Sequence, residues 1–453
     1  MRDPKMKKQE KIEADIHESL LPELRPPLES KSTDTDGGAS VSGAVFNVST
    51  SIIGAGIMSI PATLKVLGVV PAFAMIVIIA ILSEVSVDFL LKYTNAGNST
   101  TYAGVMREAF GRIGSLALQI CVMLTNMGSL IIFLIIIGDV LSGSQSEGSI
   151  HLGVLQEWFG FHWWNTRAFA LLFTTLFVFL PLVLLRRVES LRFTSAISVL
   201  LAVVFVGISS VMAILALCEG KTQSPRLLPD LAHQASFFEL FTAAPVIVTA
   251  FTFHFNVHPI AVELQNPSKM VSAARISIVL CATIYLTVGF FGYLLFGDST
   301  MPDILSNFDR NSDSPIGSIL NDTVRLSYAL HLMLVFPLVN FSLRANIHEL
   351  LFTKSPQSTS ADTTRFVFLT SFLLVFIYIA AIALPNIWYF FQFMGSTSAV
   401  SLALIFPGAI VLRDVHGIST RRETILAALM IILALITSSI AISSNIISLT
   451  RKL

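Results

Sequence analysis

Residues 46–61 read FNVSTSIIGAGIMSIP, and this stretch decides what kind of fold the chain adopts. It lies in a segment apolar enough to cross a membrane, yet it carries hydroxyl and amide side chains together with Gly54, Gly56 and Pro61. Glycine loosens a helix, and proline leaves a carbonyl without its donor. Non-helical backbone is tolerated at membrane depth only where protein or a water-filled cavity covers it. The stretch therefore predicts an unwound segment in a first span, in preference to a small-residue packing face between helices.

A second interrupted stretch, residues 245–259, reads PVIVTAFTFHFNVHP. It places aromatic, histidine and asparagine side chains between two prolines within what is otherwise a sixth apolar span. Broken spans in corresponding positions of two halves are the strongest sequence pointer to a transporter binding site. We expect the half-helix N-termini to face an anionic carboxylate and the freed carbonyl groups to face a cation.

Apolar stretches of about 20 residues, the length that crosses a bilayer, recur from Val41 onward. They predict an all-α polytopic membrane protein with about eleven transmembrane helices, and the segment 95–112 is predicted to be an interfacial helix. Spans one to five would form repeat one (41–218), spans six to ten repeat two (238–412), and an extra helix would follow. The predicted spans are 41–64, 69–91, 114–141, 167–185, 193–218, 238–260, 273–296, 320–343, 365–384, 388–412 and 423–447.

The composition excludes several classes of protein. Of the 453 residues, 54% are hydrophobic and 13% are charged, which is about half the charged fraction of soluble domains. Lys and Arg number 29, as do Asp and Glu, so no nucleic acid partner is indicated. The sequence contains no phosphate-binding loop, HExxH, CxxC pair or nucleophile elbow. We therefore expect no enzymatic activity and no cofactor, with most of the chain in contact with the lipid bilayer.

The distribution of charge predicts the orientation. Residues 1–40 are polar and rich in Lys, Glu, Asp, Ser and Pro, which predicts a disordered tail ahead of the transporter domain at 41–447. Most Lys and Arg residues fall on the same side as this tail, and the 142–166 loop contains none. By the positive-inside rule the N-terminus is cytosolic, and an odd number of spans places the C-terminus on the other side.

Five ionisable side chains fall within predicted spans: His254, His258 and His331, and the pair Glu84 and Asp88, which lie one helical turn apart. Intramembrane ionisable residues are functional candidates by default, and histidine titrates near physiological pH. Each is a candidate for proton coupling. The alternative in each case is a neutral side chain that hydrogen-bonds between helices.

Several segments, in this order, resemble the amino acid/auxin permease family and its sodium-coupled neutral amino acid transporter branch. The similarity covers about residues 41–447 and points to the vacuolar, plant-like subgroup. It implies a LeuT-like five-plus-five inverted repeat that moves amino acids by alternating access, coupled to Na⁺ or H⁺. The segments that carry it are Asn47–Pro61, Tyr102–Gly111, Phe253–Glu263, Arg325–Pro337 and Gln392–Asp414.

The resemblance also implies a substrate site at the two interrupted spans. The substrate carboxylate would bind the backbone of the Gly-Ala-Gly break in the first span, beside its hydroxyl side chains. The break in the sixth span would supply further contacts. The predicted substrate-binding residues are Thr50, Ser51, Gly54, Ala55, Gly56, Phe253, His254 and Asn256.

The predicted ion-coupling residues are Asn47, Glu84 and His331. In the sodium-coupled relatives a first-span asparagine and an eighth-span hydroxyl help to hold the ion, and Asn47 matches the former. Met333 falls at the hydroxyl position, and a thioether is a poor ligand for a hard cation. Coupling to H⁺ is therefore preferred to coupling to Na⁺.

The predicted function is secondary active transport of amino acids. Neutral substrates are favoured by the resemblance and because the breaks carry no clear acidic or basic pair. The alternatives are an amino acid sensor that signals through its N-terminal tail and an uncoupled vacuolar exporter. The predicted location is the vacuolar or another endomembrane, with the plasma membrane as the alternative, and the sequence indicates no oligomeric state.

Overall fold

The computed structural model describes residues 40–146, 149–184, 192–222, 224–230, 234–264, 266–309, 315–351, 361–384 and 387–452. They belong to one compact unit, Ala39–Leu453. The predicted tail lies outside the described residues, apart from Ser40 at its end. The Ser40 hydroxyl accepts the Gly43 N–H at 3.1 Å and caps the first helix.

The first half is almost entirely helical, as the hydropathy pattern predicts. One departure is a hairpin between the fourth and fifth helices, in which β1 (Ser144–Ser146) pairs antiparallel with β2 (Ser149–His151). The helices are α1 (Val41–Ile52), α2 (Gly56–Leu67), α3 (Val69–Ala96), α4 (Tyr102–Ser142), α5 (Val154–Phe159), α6 (Arg167–Val183) and α7 (Arg192–Cys218).

The described residues of the second half are mostly helical. A short 3₁₀ helix, Ile304–Asp309, lies in the connection between the tenth and eleventh helices. Two π-helical turns, Gly395–Ala399 and Ser401–Ile405, join the thirteenth and fourteenth. The helices are α8 (Gln234–Ala250), α9 (His254–Glu263), α10 (Met270–Phe296), α11 (Pro315–Leu351), α12 (Ala361–Ala383), α13 (Ile387–Met394), α14 (Phe406–Arg413) and α15 (Arg421–Lys452).

The helices match the predicted membrane architecture closely. Within the described residues, nine helices are long and apolar enough to cross a membrane, and the bent pair α1–α2 makes a tenth. Helix α6 is apolar but shorter, and it coincides with the fourth predicted span. The predicted interfacial helix is the first part of α4, which changes direction at Gly111, where φ is +67°. The count of eleven, the repeat boundaries and the orientation stay predictions.

The helices have buried faces that pack against one another and exposed apolar faces on the outside of the bundle. Helix α11 packs against α4 and α7, and α10 packs against α1, α3 and α7. Buried aromatic rings fill these contacts, such as Phe205 of α7 and Tyr328 of α11, whose centroids are 5.0 Å apart. On α12, by contrast, Phe368, Phe372 and Val375 are exposed. A helix that is apolar all round suits lipid on its outer face, as the composition predicts.

The run of small residues Gly395–Ala399 serves close packing. A Cβ on Gly395 would lie 2.3 Å from the carbonyl oxygen of Pro245, so the π-helical turn and α8 touch backbone to backbone. Thr125 of α4 donates to the Ser398 hydroxyl at 2.8 Å on another side of the same turn. These contacts hold α8 close to α4 and thereby position the second interrupted span.

Candidate substrate and ion site

The first span is broken where the sequence predicts it. Helix α1 ends at Ile52, α2 begins at Gly56, and the two helices are bent by 55°. The N–H groups of Gly54 and Ala55 donate to no backbone carbonyl in the described part of the chain. Such groups, ahead of a helix N-terminus, are well placed to bind an anion. The predicted unwound segment is therefore confirmed.

The second break lies directly beside the first. Helix α8 ends at Ala250, and α9 begins at His254. A Cβ on Gly56 would lie 2.8 Å from the Ala250 Cα, so only glycine permits this approach. The Tyr285 hydroxyl of α10 lies between the breaks, 2.7 Å from the Ile52 oxygen and 2.9 Å from the Ala250 oxygen. The two breaks thus form one buried site.

A cavity opens beside the first break. Its volume for the centres of water molecules is about 40 Å³, room for roughly three waters. The residues described as lining it include no charged side chain; five hydroxyl groups face aromatic and aliphatic ones. An apolar pocket with a few polar groups suits a small uncharged ligand side chain. The lining is Thr50, Ser51, Ile52, Gly54, Ala55, Gly56, Ser129, Phe133, Thr249, Ala250, Thr252, Phe255, Val335, Val339 and Phe391.

The predicted substrate-binding residues of the first break all line this cavity, namely Thr50, Ser51, Gly54, Ala55 and Gly56. The Thr50 hydroxyl is 3.2 Å from the Ser195 carbonyl and 3.3 Å from the Ser198 hydroxyl, both on α7. The Thr50 hydroxyl therefore links the first break to α7.

The three predicted residues of the second break are placed differently. Phe253 is fully buried, and the His254 Nε2 lies 2.6 Å from the Ser86 hydroxyl of α3. Asn256 donates to the Ser51 hydroxyl at 3.1 Å and accepts from Ser342, so it supports a lining residue from behind. None of the three lines the cavity. In their place the second break contributes Thr249, Ala250, Thr252 and Phe255.

Other lining residues were not singled out by the sequence. Ser129 and Phe133 come from α4, and Val335 and Val339 from α11. Each pair has the i, i+4 spacing of one helix face. The same spacing runs through every apolar helix of the chain, so it carries no signal that would select these faces.

Three carbonyl groups at the first break accept hydrogen bonds from side chains, and the expectation that freed carbonyls face a cation stays a prediction. Buried carbonyls need a donor, and α10 and α11 supply one for each of the three. The donor groups lie at normal hydrogen-bond distances, so each of these oxygens has a protein partner. The contacts are Tyr285 to the Ile52 oxygen at 2.7 Å, Tyr328 to the Gly54 oxygen at 2.6 Å, and His331 Nε2 to the Ile53 oxygen at 3.0 Å.

His331 is fully buried and links three helices. Its Nδ1 lies 2.6 Å from the Ser198 carbonyl of α7, and its Nε2 lies 3.0 Å from the Ile53 carbonyl at the end of α1. A neutral imidazole has one donor and one acceptor nitrogen, whereas both carbonyl oxygens only accept. Both contacts are hydrogen bonds only when the ring carries a proton on each nitrogen. A neutral ring donates to one of the two carbonyl oxygens, and a protonated ring can donate to both.

The other predicted ion-coupling residues lie in unlike surroundings. The Glu84 carboxylate accepts from Arg275 at 2.6 Å, and Asp88 lies 4.0 Å from the same guanidinium. The Arg275 side chain is 56% exposed, so this is an ion pair at the edge of the bundle. Asn47, by contrast, is buried, and its side-chain oxygen has no partner among the described residues. The role of each in coupling stays a prediction.

Comparison with known proteins decides the family. A model of the family described as "Transmembrane amino acid transporter protein" matches residues 37–449. The chain belongs to this family. The resemblance read from the sequence is thereby confirmed, as is the expectation of a transporter rather than an enzyme.

Two relatives illustrate the range of this transmembrane amino acid transporter family. Amino acid transporter AVT6C of Arabidopsis thaliana is 63% identical over 96% of this chain and 99% of its own. Sodium-coupled neutral amino acid symporter 2 of Danio rerio is 26% identical over 83% of this chain and 76% of its own. The chain is thus similar over most of its length to proteins named for amino acid transport.

Solved structures confirm the LeuT-like fold class. A crystal structure of a mutant of the Eremococcus coleocola manganese transporter matches with a TM-score of 0.59 and 16% identity, over 90% of this chain and 87% of that chain. MhsT in complex with L-phenylalanine matches with a TM-score of 0.51 and 14% identity, over 90% and 99%. At these identities the likeness shows the fold alone.

Proposed function

We propose that this protein carries neutral amino acids across a membrane by alternating access, with H⁺ as the coupling ion. The adjacent breaks, the cavity and the family support transport of an amino acid. The choice of ion rests on one observation. The His331 ring lies between the carbonyl oxygens of Ser198 and Ile53 and satisfies both only when protonated.

The chemistry of the cavity favours a neutral amino acid. The substrate carboxylate would bind the N–H groups of Gly54 and Ala55 at the N-terminus of α2, where the helix dipole favours negative charge. The substrate side chain would contact Phe133, Phe255 and Phe391. A charged substrate side chain would find no opposite charge among the described lining residues and would lose its hydration.

Sodium is the weaker choice because part of the oxygen set that it needs is engaged or missing, although the Asn47 side-chain oxygen has no partner among the described residues. The three carbonyl oxygens of the first break already accept from protein donors. On α11, Met333 is followed by Leu334 and Val335, none of which offers a side-chain oxygen. A hard cation requires several oxygen ligands at once.

The proton would couple to transport through the helices that His331 joins. With an imidazolium, α11 is hydrogen-bonded both to α1 and to α7. Loss of the proton turns one nitrogen into an acceptor that faces a carbonyl oxygen, so one of these links breaks. We propose that this change alters the balance between inward-facing and outward-facing packing, which alternating access requires.

The proposed location is the vacuolar or another endomembrane, with the N-terminus in the cytosol. This follows the resemblance to the vacuolar, plant-like subgroup and the positive-inside distribution of Lys and Arg. An acidic compartment would supply the proton gradient that His331 uses.

Reconstitution tests the proposal directly. Purified full-length protein in liposomes should accumulate labelled alanine or glutamine when a pH gradient is imposed. With one proton per substrate, a gradient of one pH unit supports up to about tenfold accumulation. A Na⁺ gradient at equal pH on both sides should give equilibration without accumulation.

Each other outcome has a definite meaning. Accumulation driven by Na⁺ alone would contradict proton coupling. Equilibration under both gradients would support the uncoupled exporter. Binding of the amino acid without any flux would support the sensor and contradict transport.

The Glu84→Gln variant separates the two predicted acid–base candidates. Glu84 is paired with the half-exposed Arg275, so neutralising it removes a peripheral ion pair worth about 0–1 kcal/mol. We expect accumulation driven by the pH gradient to change less than twofold. Loss of proton-driven accumulation with retained exchange of labelled substrate would instead assign the coupling proton to Glu84.

A further inference from the structure

A cluster of charged residues lies at the end of the bundle that holds the 142–166 connection, the end predicted to be non-cytosolic. It surrounds a second, smaller cavity whose volume for water centres is about 10 Å³, close to the room that one water needs. The substrate cavity has no residue in common with it. The charged and titratable groups of the cluster are Asp139 on α4, His151 on β2, Glu157 on α5, Arg167 on α6, Asp303 in the α10–α11 connection, and Asp322 and Arg325 on α11.

Asp303 is the unusual member of this cluster. The residue is only 5% exposed and lines the small cavity. One carboxylate oxygen accepts the Leu305 N–H at 3.0 Å, whereas Oδ2 is buried without a partner among the described residues. A buried carboxylate oxygen without a donor is costly, and protonation lowers that cost by removing the charge.

The arginines of the cluster are already engaged by other carboxylates. Arg167 donates to Asp139, and Arg325 donates to Glu157 at 2.7 Å. Asp303 has neither as a hydrogen-bond partner, although Arg325 lies near enough to act on it. Burial first, and then the Asp139 carboxylate, raise the pKa of Asp303 to about 7, while the Leu305 N–H and Arg325 oppose the shift.

The segment that carries Asp303 is fastened to α2. Ser59 of α2 donates to the Pro302 carbonyl at 2.8 Å, and Lys65 donates to the Thr300 carbonyl at 3.1 Å. Helix α2 is also the half-helix whose N-terminus lies at the substrate cavity. A change at Asp303 therefore acts on a segment that is hydrogen-bonded to α2, the second half of the first span.

We propose that Asp303 is a second proton-binding site, and that the proton held there keeps the α10–α11 connection and α2 in their present packing. The protonated Oδ2 donates a hydrogen bond into the cavity. When it releases the proton to water, a carboxylate faces Asp139, and the connection is repelled from α4. The consequence for transport rests on the proposed function, whereas the site itself does not.

The test is thermal unfolding of the purified full-length protein in detergent between pH 5 and pH 8, which requires no transport. The pKa of Asp303 in the folded protein, about 7, lies above its ordinary value of 3.8. The stabilisation is therefore complete below about pH 4 and is lost as the pH rises through about 7. Asp303→Asn keeps a neutral group of the same shape. We expect this variant to lose that part of the pH dependence and to melt at or above the wild-type temperature at pH 8.

Two matched variants control for other groups. Asp298→Asn removes a carboxylate from the same connection whose side chain is 64% exposed and paired with Arg226. His151→Gln removes the neighbouring titratable ring. Both should keep the wild-type pH dependence. The proposal is overturned if Asp303→Asn keeps it too, if Asp303→Asn is less stable than wild type at pH 8 or does not fold, or if His151→Gln abolishes it.

Discussion

Gly56→Val is expected to abolish uptake while leaving the protein inserted in the membrane. Even the first carbon of the new side chain would lie 2.8 Å from both the Cα and the Cβ of Ala250. The Ala250 Cα belongs to backbone at the second break and has no rotamer that yields. Overpacking of this kind costs about 1–3 kcal/mol, and here the displacement falls on the two breaks that form the cavity. Gly56→Ala should reduce uptake less severely. Uptake measured for a series of variants with increasing side-chain size at this position tests that order.

Gly207→Val is the matched control for this prediction. Gly207 lies on the exposed side of α7, and a Cβ there would have no atom within 4 Å outside its own helix turn. We expect wild-type uptake, surface labelling and detergent stability from this variant. Wild-type uptake by a correctly inserted Gly56→Val protein would contradict the close approach of the breaks and the site built on it.

The position of the first break was readable from the sequence because Gly54 and Gly56 stand at it, whereas the second break lies between Pro245 and Pro259 without a glycine or proline of its own. The stretch at 46–61 carries glycines and a proline, and the stretch at 245–259 carries prolines, within segments otherwise apolar enough to span a membrane. Glycine loosens a helix and proline removes one of its donors, yet Pro61, Pro245 and Pro259 lie inside α2, α8 and α9. At the first break the cavity-lining residues followed as well, because nearly every residue from Thr50 to Gly56 borders the cavity.

At the second break the lining residues could not be predicted. We expected Phe253, His254 and Asn256, whereas Thr249, Thr252 and Phe255 border the cavity. Helical periodicity relates the faces of residues within one helix, and the interruption between Ala250 and His254 removes that relation. Which residue points inward then depends on the angle between α8 and α9.

The donors that cap the freed carbonyls were equally hidden. Tyr285 and Tyr328 lie on α10 and α11, far along the chain from the Ile52 and Gly54 oxygens that they bind. A tyrosine in an apolar span has no sequence feature that names its partner. The expectation of a cation at the first break therefore stays a prediction. The break correctly predicted free carbonyls but could not reveal which side chains would reach them.

His331→Gln is expected to uncouple transport from the proton without destroying it. Glutamine does not titrate and, unlike an imidazolium, has a single donor atom to offer the Ser198 and Ile53 carbonyls. One of the two links from α11 is therefore absent throughout the cycle. A gradient of one pH unit, which supports up to about tenfold accumulation in the wild type, should then give none. Exchange of labelled for unlabelled substrate across the liposome membrane should persist, because it needs no net proton movement.

Two other histidines make this prediction specific. His254 has one ring nitrogen at 2.6 Å from Ser86 and the other without a partner among the described residues, so a neutral ring satisfies its contact. His162 is exposed in the connection before α6. Both His254→Gln and His162→Gln should keep accumulation driven by the pH gradient. If His331→Gln keeps it as well, the ring serves only to hold α11 against α1 and α7. If His254→Gln alone loses it, the coupling proton resides at the second break, where the sequence also placed an ionisable group.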